Sequence, residues 1–391
     1  MRKLLLLSFI TLVVASCGKK YPNDPLADTG RTQRTENLLA NMMAQADSAG
    51  YMFGHQDDTA YGVGWVYNGE KSENGEVRSD VKSVCNDYPA VMGFDLGHLE
   101  IGDSVNLDGV PFDDMRQMII DQFDRGGVVT LSWHLDNPLT GGSAWVKPDS
   151  LTDQEKHTVA SVLPGGEKHE VFLGWLDRVA DFISSLETPY GVRVPVIFRP
   201  WHEHTGSWFW WGENVCSKEE YIALWKFTAD RLKEKKVVNA LFAYSPGSDP
   251  QPNEQHYMDR YPGDDIIDML GVDIYCYVPE GDTTAVNKYS ENLAGHLAFM
   301  QKLGKEHHKP FAVTETGFEG IPMDNWWTSA LAPSLNKYGV GYVLVWRNAH
   351  DKQGHFYAPY PGQRSTKDFV QFYNDKRTLF LHDINGIYLE K

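Results

Sequence analysis

Eight short apolar segments recur along the chain, and amphipathic segments separate them. The apolar segments are 51–54, 90–96, 127–133, 194–198, 239–244, 267–275, 310–313 and 339–346. Apolar residues at three- and four-residue spacing predict helices over 32–49, 113–124, 169–186, 218–234, 290–305 and 325–336. Short unbroken apolar runs are typical of strands that are buried on both faces of a parallel sheet. Eight strands alternating with helices predict an α/β fold, a (β/α)8 TIM barrel.

A doubly wound open sheet is the competing architecture. It commonly carries a glycine-rich phosphate loop after its first strand, but neither GxGxxG nor GxxxxGK[ST] follows residue 54. No linker, low-complexity tract or internal repeat divides the chain after about residue 31. Because α/β barrels routinely reach this length as one domain, we predict a single domain over 32–391.

The charge and the aromatic content restrict the partners. A net charge of −17 argues against binding nucleic acid or an anionic membrane surface through a basic face. Twelve Trp and nineteen Tyr suit a neutral carbohydrate, because the apolar face of a pyranose stacks on an aromatic ring. A large barrel core also contains many aromatic residues, so this composition permits a sugar ligand without requiring one.

The first residues have the pattern of an export signal. Arg2 and Lys3 precede the apolar run 4–15, which is too short to span a membrane. Cys17 follows a small residue directly after this run, as in the lipobox of bacterial lipoproteins. We therefore predict a signal peptide over 1–16, lipidation of Cys17 and a flexible leader over 17–31. The lipid would be the only membrane contact, and it would anchor the protein to the outer membrane of a bacterial cell envelope, facing the periplasm.

Three further cysteines, Cys85, Cys216 and Cys276, cannot all pair with one another. The sequence has no CxxC motif and no Cys/His spacing typical of a zinc site. The pattern excludes a disulfide framework and leaves a single bridge open.

The segment 196–212, VIFRPWHEHTGSWFWWG, carries the densest group of chemically active residues. An apolar strand runs directly into Arg199, His202 and Glu203. In an α/β barrel, residues just beyond the C-terminal end of a strand face the substrate. This position suits a catalytic acid at Glu203. The alternative is a structural carboxylate that pairs with Arg199 beside a cluster of core aromatic residues.

A second glutamate, Glu315, follows the seventh predicted strand. The fourth and seventh strands of an eight-stranded barrel lie nearly opposite each other, so Glu203 and Glu315 can face each other across its mouth. Glycoside hydrolysis needs one carboxylic acid and one carboxylate, and a separation of about 5–5.5 Å gives retention of configuration. Burial would keep Glu203 protonated, while Arg199, His202 or Tyr275 would keep Glu315 ionised.

Six motifs resemble the signatures of glycoside hydrolase family 26. They are RPWHEHTGSWFWWG, VTETG, GVDIY, SWHLDNP, VLVWRN and HFYAPYPG, and the resemblance runs from about residue 55 to residue 362. The family consists chiefly of β-1,4-mannanases, and its members are retaining enzymes on a (β/α)8 barrel. The resemblance implies a catalytic domain that binds β-mannan or manno-oligosaccharides and needs neither a cofactor nor a metal.

The resemblance also implies residue roles. Glu203 would be the acid/base and Glu315 the nucleophile, with His202 contacting the nucleophile. Tyr275 would hydrogen-bond the nucleophile, and Trp208 would line the leaving-group side. The remaining substrate-binding residues would be Trp346 and Arg347, as floor and wall of the glycone subsites, and His98 and His134, which would bind sugar hydroxyls.

Several alternatives remain open at this stage. A mixed-linkage β-glucanase and a β-1,3-xylanase occur among relatives with the same catalytic pair, and they differ in how the glycone pocket treats an axial O2. A non-catalytic glycan-binding lipoprotein is a hypothesis of another class, and it predicts the loss of a catalytic glutamate, although both are present. We expect a monomer. The sequence leaves endo against exo action open.

Overall fold

The computed structural model describes residues 24–46, 50–72, 75–278 and 284–390. The predicted signal peptide and Cys17 lie outside these residues, so lipidation stays a prediction from the sequence. The first described segment contains the end of the predicted leader and the first helix.

Eight parallel strands close into a barrel, which confirms the predicted (β/α)8 fold. We number them in chain order: β1 Tyr51–Gln56, β2 Val91–Asp95, β3 Val128–Ser132, β4 Val196–Arg199, β5 Ala240–Tyr244, β6 Met269–Tyr275, β7 Phe311–Gly317 and β8 Tyr342–Val345. Each strand pairs with the next, and β8 returns to β1, where Met52 lies opposite Tyr342. A further strand, Thr378–Leu379, pairs with β1, and Tyr61–Gly62 forms a small antiparallel pair with Trp65–Val66.

Helices follow most of the strands. The α-helices are Gln33–Ala46, Asp80–Cys85, Phe112–Asp124, Asp153–Lys156, Thr158–Val162, His169–Ser185, Lys218–Glu234, Glu254–Asp259, Ala285–Glu306, Ala332–Leu335 and Thr366–Tyr373. There are also 3-10 turns at Pro148–Ser150 and Leu381–Asp383. The segment predicted as one helix over 325–336 is a π-helical turn, Trp327–Leu331, followed by a short α-helix. Pro333 lies in this segment and has no N–H to continue a regular α-helical ladder.

Four buried tryptophans from the segments that follow β3 and β4 pack against one another. The side chains of Trp133, Trp201, Trp210 and Trp211 are fully buried. The ring of Trp201 lies 5.6 Å from Trp133, 5.5 Å from Trp210 and 5.6 Å from Trp211, measured between ring centroids. This cluster packs the segment after β4, which carries Glu203, against the residue that follows β3.

The cysteines of the described part are free thiols. Cys216 and Cys276 are buried, and burial raises the pKa of both to about 12. The disulfide that the sequence left open therefore does not form between Cys85, Cys216 and Cys276. In the same part of the chain, no helix combines the length and the apolar character needed to cross a bilayer.

Candidate active site

Glu203 lies in a tight turn directly after β4. Trp201 and Glu203 both adopt left-handed backbone conformations, with φ of 57° and 52°. Such conformations are uncommon for residues other than glycine and cluster at functional sites. The backbone N–H of Glu203 donates to the carbonyl of Ser245 at 2.8 Å, just beyond β5. Burial of Trp201 and this hydrogen bond hold Glu203 at the C-terminal end of the barrel.

Glu315 lies on β7, and Asp273 lies opposite it on β6. The guanidinium of Arg199, at the end of β4, donates to Asp273 at 2.8 Å and also to Oε1 of Glu315. The hydroxyl of Tyr275 donates to Oε2 of Glu315 at 2.7 Å. Both oxygens of Glu315 are thus held by donors. Arg199 pairs with Asp273 and Glu315, so the alternative in which it forms a structural ion pair with Glu203 is wrong.

The two glutamates lie close enough to act on one glycosidic bond. One carboxylate oxygen of Glu203 and one of Glu315 lie within 4.8 Å of each other. Retaining glycosidases separate their two carboxyl groups by about 5–5.5 Å, whereas inverting enzymes need about 6.5–9.5 Å to admit a water. The spacing therefore matches double displacement with retention.

The surroundings of the two carboxylates differ in charge. Burial and the nearby negative charge of Glu315 raise the pKa of Glu203 to about 7. Burial alone would lower the pKa of Arg199, but Asp273 and Glu315 raise it, so the guanidinium remains a cation. Glu203 can thus be protonated near neutral pH while Glu315 faces a fixed positive charge.

Trp208 contacts the acid directly. Its indole N–H donates to Oε2 of Glu203 at 2.7 Å, and its side chain is 40% exposed. Gly206 permits this position, because a Cβ there would fall 2.2 Å from the Trp208 ring. The N–H favours the ionised form of Glu203 and so limits the rise of its pKa.

We expect Trp208→Phe to move the basic limb of the pH profile of kcat/KM upward by about half a unit to one unit. The phenyl ring preserves most of the apolar surface but cannot donate to Glu203, so the pKa of Glu203 rises. The measurement is kcat/KM between pH 4 and 10 for the wild-type protein and the variant. Trp208→Ala serves as the control, because it also removes the ring and should in addition raise KM. An unchanged limb in Trp208→Phe would contradict the assigned contact.

The structure places Trp346 and Arg347 beyond β8, near residues that the sequence analysis did not single out. Arg347 forms an ion pair with Asp108 at 3.1 Å and lies 3.5 Å from the hydroxyl of Tyr61. Trp346 is half-buried, and its ring centroid lies 6.0 Å from that of His134. Asp108 and Tyr61 come from the connections after β2 and β1, far from Arg347 in sequence. The polar residues that follow β1 and β2 in the sequence were the signal that could have indicated these partners of Arg347.

The predicted histidine contacts are arranged differently from what the resemblance implied. Nδ1 of His134 bonds to Asp95 at 2.6 Å and its Nε2 bonds to Nε2 of His202 at 3.0 Å, which leaves neither ring nitrogen free for a sugar hydroxyl. The hydrogen bonds to Glu315 come from Arg199 and Tyr275, whereas His202 contacts His134.

His98 follows β2 and is half-buried, with a left-handed φ of 75°. Burial raises the pKa of Asp136, and the charge of His98 partly offsets this effect, which places the imidazole beside the connection after β3. The structure does not bring His98 into the hydrogen-bonded group around Glu315, whose donors are Arg199 and Tyr275.

A cleft of about 860 Å³ opens beside Glu203. Its lining includes Trp145, Trp208, Pro250, Tyr275, Tyr277 and Asn292. Trp145 is 49% exposed, and it forms an isolated β-bridge with Phe209 that ties the connection after β3 to the one after β4. The volume lies in the range of small-molecule sites, and exposed aromatic rings are suited to stacking on sugars.

The same carboxylates have the only metal-ligand spacing found in the described part of the chain. Glu203, Asp273 and Glu315 each bring an oxygen within 4.8 Å of the others. Arg199 already binds Asp273 and Glu315, so its guanidinium supplies the compensating positive charge within this group. The three carboxylates therefore suit acid, base and nucleophile chemistry, and the guanidinium of Arg199 is the cation among them.

A parallel eight-stranded barrel with two glutamates at this spacing at its C-terminal face defines a glycoside hydrolase of the two-carboxylate type. Residues 27–305 match the model of glycosyl hydrolase family 26. The chain belongs to this family. The matched region includes Glu203 and ends before β7, so Glu315 lies beyond it.

Solved structures and named relatives agree with this assignment. A GH26 β-mannanase from Bacteroides ovatus is 50% identical, with a TM-score of 0.85, over 92% of this chain and 98% of that chain. Mannan endo-1,4-beta-mannosidase from Bifidobacterium adolescentis is 28% identical in an alignment of 384 residues that covers 93% of this chain and 36% of the relative. The enzyme of that name from Bacillus subtilis is 28% identical over 249 residues, covering 61% of this chain and 60% of the relative. The chain thus spans about a third of the first of these two relatives.

Proposed function

We propose that this protein is a retaining β-mannanase that cleaves β-1,4-mannosidic bonds in mannan, galactomannan or manno-oligosaccharides. The observation that carries the proposal is the pair Glu203 and Glu315, with oxygens within 4.8 Å and with opposite electrostatic surroundings. The names of the similar proteins support mannan as the substrate. The presence of both glutamates in position argues against a non-catalytic glycan-binding protein.

In the first step, the carboxylate of Glu315 attacks the anomeric carbon and forms a glycosyl ester. The bond to the leaving oxygen breaks as that oxygen takes the proton of Glu203. Arg199 and Tyr275 orient the attacking carboxylate. Burial keeps Glu203 protonated until this step, because its pKa of about 7 lies well above that of an exposed glutamate.

In the second step, Glu203 acts as a base. It accepts a proton from a water that attacks the anomeric carbon, and the ester to Glu315 breaks with overall retention. Loss of the negative charge on esterified Glu315 lowers the pKa of Glu203, since that charge is one cause of its elevation. The indole N–H of Trp208 stabilises the carboxylate of Glu203 at this stage. The two roles of Glu203 thus follow from the changing charge of its neighbour.

A chromatographic time course of the purified protein on linear β-1,4-mannan and on mixed-linkage β-glucan tests the proposal. We expect hydrolysis of mannan alone. A ladder of product sizes at early times would establish endo action, and mannobiose from the start would establish release from a chain end. Hydrolysis of the glucan alone would preserve the catalytic pair and overturn the substrate. Hydrolysis of neither polysaccharide would overturn the proposed activity and favour the non-catalytic glycan-binding hypothesis.

We expect kcat/KM on manno-oligosaccharides to fall about tenfold per pH unit as the pH rises above about 7. The sign follows from the role of Glu203, since the raised pKa keeps the acid protonated below this value and the proton is lost above it. A mannoside with a good leaving group is the control, because its departure needs little protonation and its glycosylation step should lose this limb. A basic limb of equal size for both substrates would contradict the acid role.

We propose further that Cys17 carries a lipid that tethers the protein to the outer membrane, with the catalytic domain facing the periplasm. The support is the pattern of basic residues, apolar run and small residue before Cys17. Metabolic labelling with an alkyne fatty acid should mark the full-length protein but not Cys17→Ser. Labelling of both proteins would exclude this anchor, and protease accessibility on intact cells would decide the orientation.

A further inference from the structure

We propose that Asp95 is a positioning residue that holds His134 as a cation beside the two catalytic glutamates and thereby sets the pH at which Glu203 loses its proton. This inference rests on the proposed glycosidase function and deepens it. The sequence places Asp95 at the end of β2 and His134 two residues beyond β3, and the barrel brings them together.

The carboxylate of Asp95 is surrounded by donors. Oδ1 accepts the backbone N–H of Gly97 at 2.7 Å and that of His134 at 3.2 Å. Oδ2 accepts the hydroxyl of Ser132 at 2.6 Å and bonds to Nδ1 of His134 at 2.6 Å. Burial opposes ionisation, but the charge and the hydrogen bond of His134 lower the pKa of Asp95 to about 2. Asp95 is therefore an anion, and it requires a proton on Nδ1 of His134.

The second nitrogen of His134 meets another histidine. Its Nε2 lies 3.0 Å from Nε2 of His202, so one proton lies between the two rings. Burial, together with the charges of His134 and Arg199, lowers the pKa of His202 well below its usual value, so His202 is the neutral member of the pair. In the proposed state His134 is an imidazolium that donates from both nitrogens, to Asp95 and to the Nε2 lone pair of His202. Burial opposes this charge, but Asp95 and the two glutamates raise the pKa of His134.

The charged groups that face His134 come from several elements. They are Asp95 from β2, Asp108 from the connection after β2, His202 and Glu203 after β4, and Glu315 on β7. The aromatic rings of Trp145 and Phe209 lie 5.1 and 5.3 Å from the imidazole between centroids. These rings shield the imidazole from water, which strengthens its electrostatic effect. The positive charge of His134 is one of the causes that lower the pKa of Glu203.

Asp95→Asn tests this inference because the geometry dictates its effect. The two backbone N–H groups fix the amide oxygen at the position of Oδ1, so the amide nitrogen faces Nδ1 of His134. Nδ1 of His134 must then accept a hydrogen bond from the amide, and a nitrogen that accepts carries no proton, so the imidazolium is excluded. We expect the basic limb of kcat/KM on manno-oligosaccharides to move upward by about one pH unit, because Glu203 loses a neighbouring positive charge.

Three further variants separate this effect from a loss of structure. Ser132→Ala removes one hydrogen bond to Asp95 and leaves its charge, so its basic limb should stay in place. His134→Gln removes the cation directly and should shift the limb as Asp95→Asn does. The double variant should shift no further than either single variant, because both act through one charge. His134→Gln also provides the test if Asp95→Asn fails to fold.

The outcomes are distinct. Both Asp95→Asn and His134→Gln could lower the activity at every pH and leave the basic limb of kcat/KM in place. This result would give Asp95 a merely structural role and overturn the inference. Additive shifts in the double variant would do the same. A wild-type protein without glycosidase activity would instead overturn the proposed function, and this result is visible before any variant is made.

Discussion

Glu315→Ala should abolish turnover of both mannan and activated aryl mannosides, with kcat lower by about 10⁴-fold or more. Among the described residues, Glu315 is the carboxylate placed to form the covalent bond to the anomeric carbon, since Asp273 is fully engaged by Arg199, Ser245 and Thr314. Its loss therefore affects every substrate regardless of the leaving group. The measurement is kcat on linear mannan and on an aryl β-mannobioside.

Azide provides the control for this variant. The shortened side chain leaves room for the anion, which attacks the anomeric carbon and gives a mannosyl azide of inverted, α configuration. Arg199 keeps Asp273 as its partner, so the barrel should still fold, and thermal unfolding checks this point. Near wild-type turnover by a folded Glu315→Ala protein would refute the mechanism.

Glu203→Ala should separate the two classes of substrate. Without the acid, hydrolysis of unactivated mannan should fall by about 10³-fold, which is within the range of general acid–base catalysis. An aryl mannoside with a good leaving group should still form the covalent intermediate at a rate within about tenfold of the wild type, because its departure needs little protonation. Deglycosylation then becomes slow, since Glu203 is also the base.

The readout is a burst of released phenol followed by slow turnover. Azide should accelerate the slow phase and give a β-mannosyl azide, because the anion needs no base and attacks the intermediate on Glu315. Trp208→Phe is the matched comparison, since it alters the partner of Glu203 and leaves both carboxylates in place. Equal losses on both substrates, without a burst, would assign Glu203 a different role.

Local sequence patterns account for most of the predicted architecture. The eight strands were predicted because buried parallel strands are unbroken apolar runs, and the long helices because their apolar residues recur with the helical period. The predicted helix over 218–234 matches Lys218–Glu234, where Ser217 forms a capping box with Glu220. Helices of four to six residues, such as Asp80–Cys85 and Glu254–Asp259, are too short to show a period and were not predicted.

The candidate site was only partly accessible to the same reasoning. The positions of Glu203 and Glu315 followed from their places at strand ends, together with the family resemblance. The donor to Glu315 remained open among Arg199, His202 and Tyr275, because a strand-end pattern says nothing about side-chain direction. The barrel closure and the β6–β7 register decided for Arg199 and Tyr275.

The sequence by itself determined the barrel, the face on which the site lies and the two glutamates, since each depends on the spacing of residues near in sequence. Only the tertiary structure decided which charged groups form ion pairs: Arg199 with Glu315, Arg347 with Asp108, and Asp95 with His134. These partners lie on different strands or connections and meet only when the strands assemble into the sheet. Because electrostatic interactions depend on distance and burial, and not on order along the chain, the proton chemistry of the site belongs to the fold.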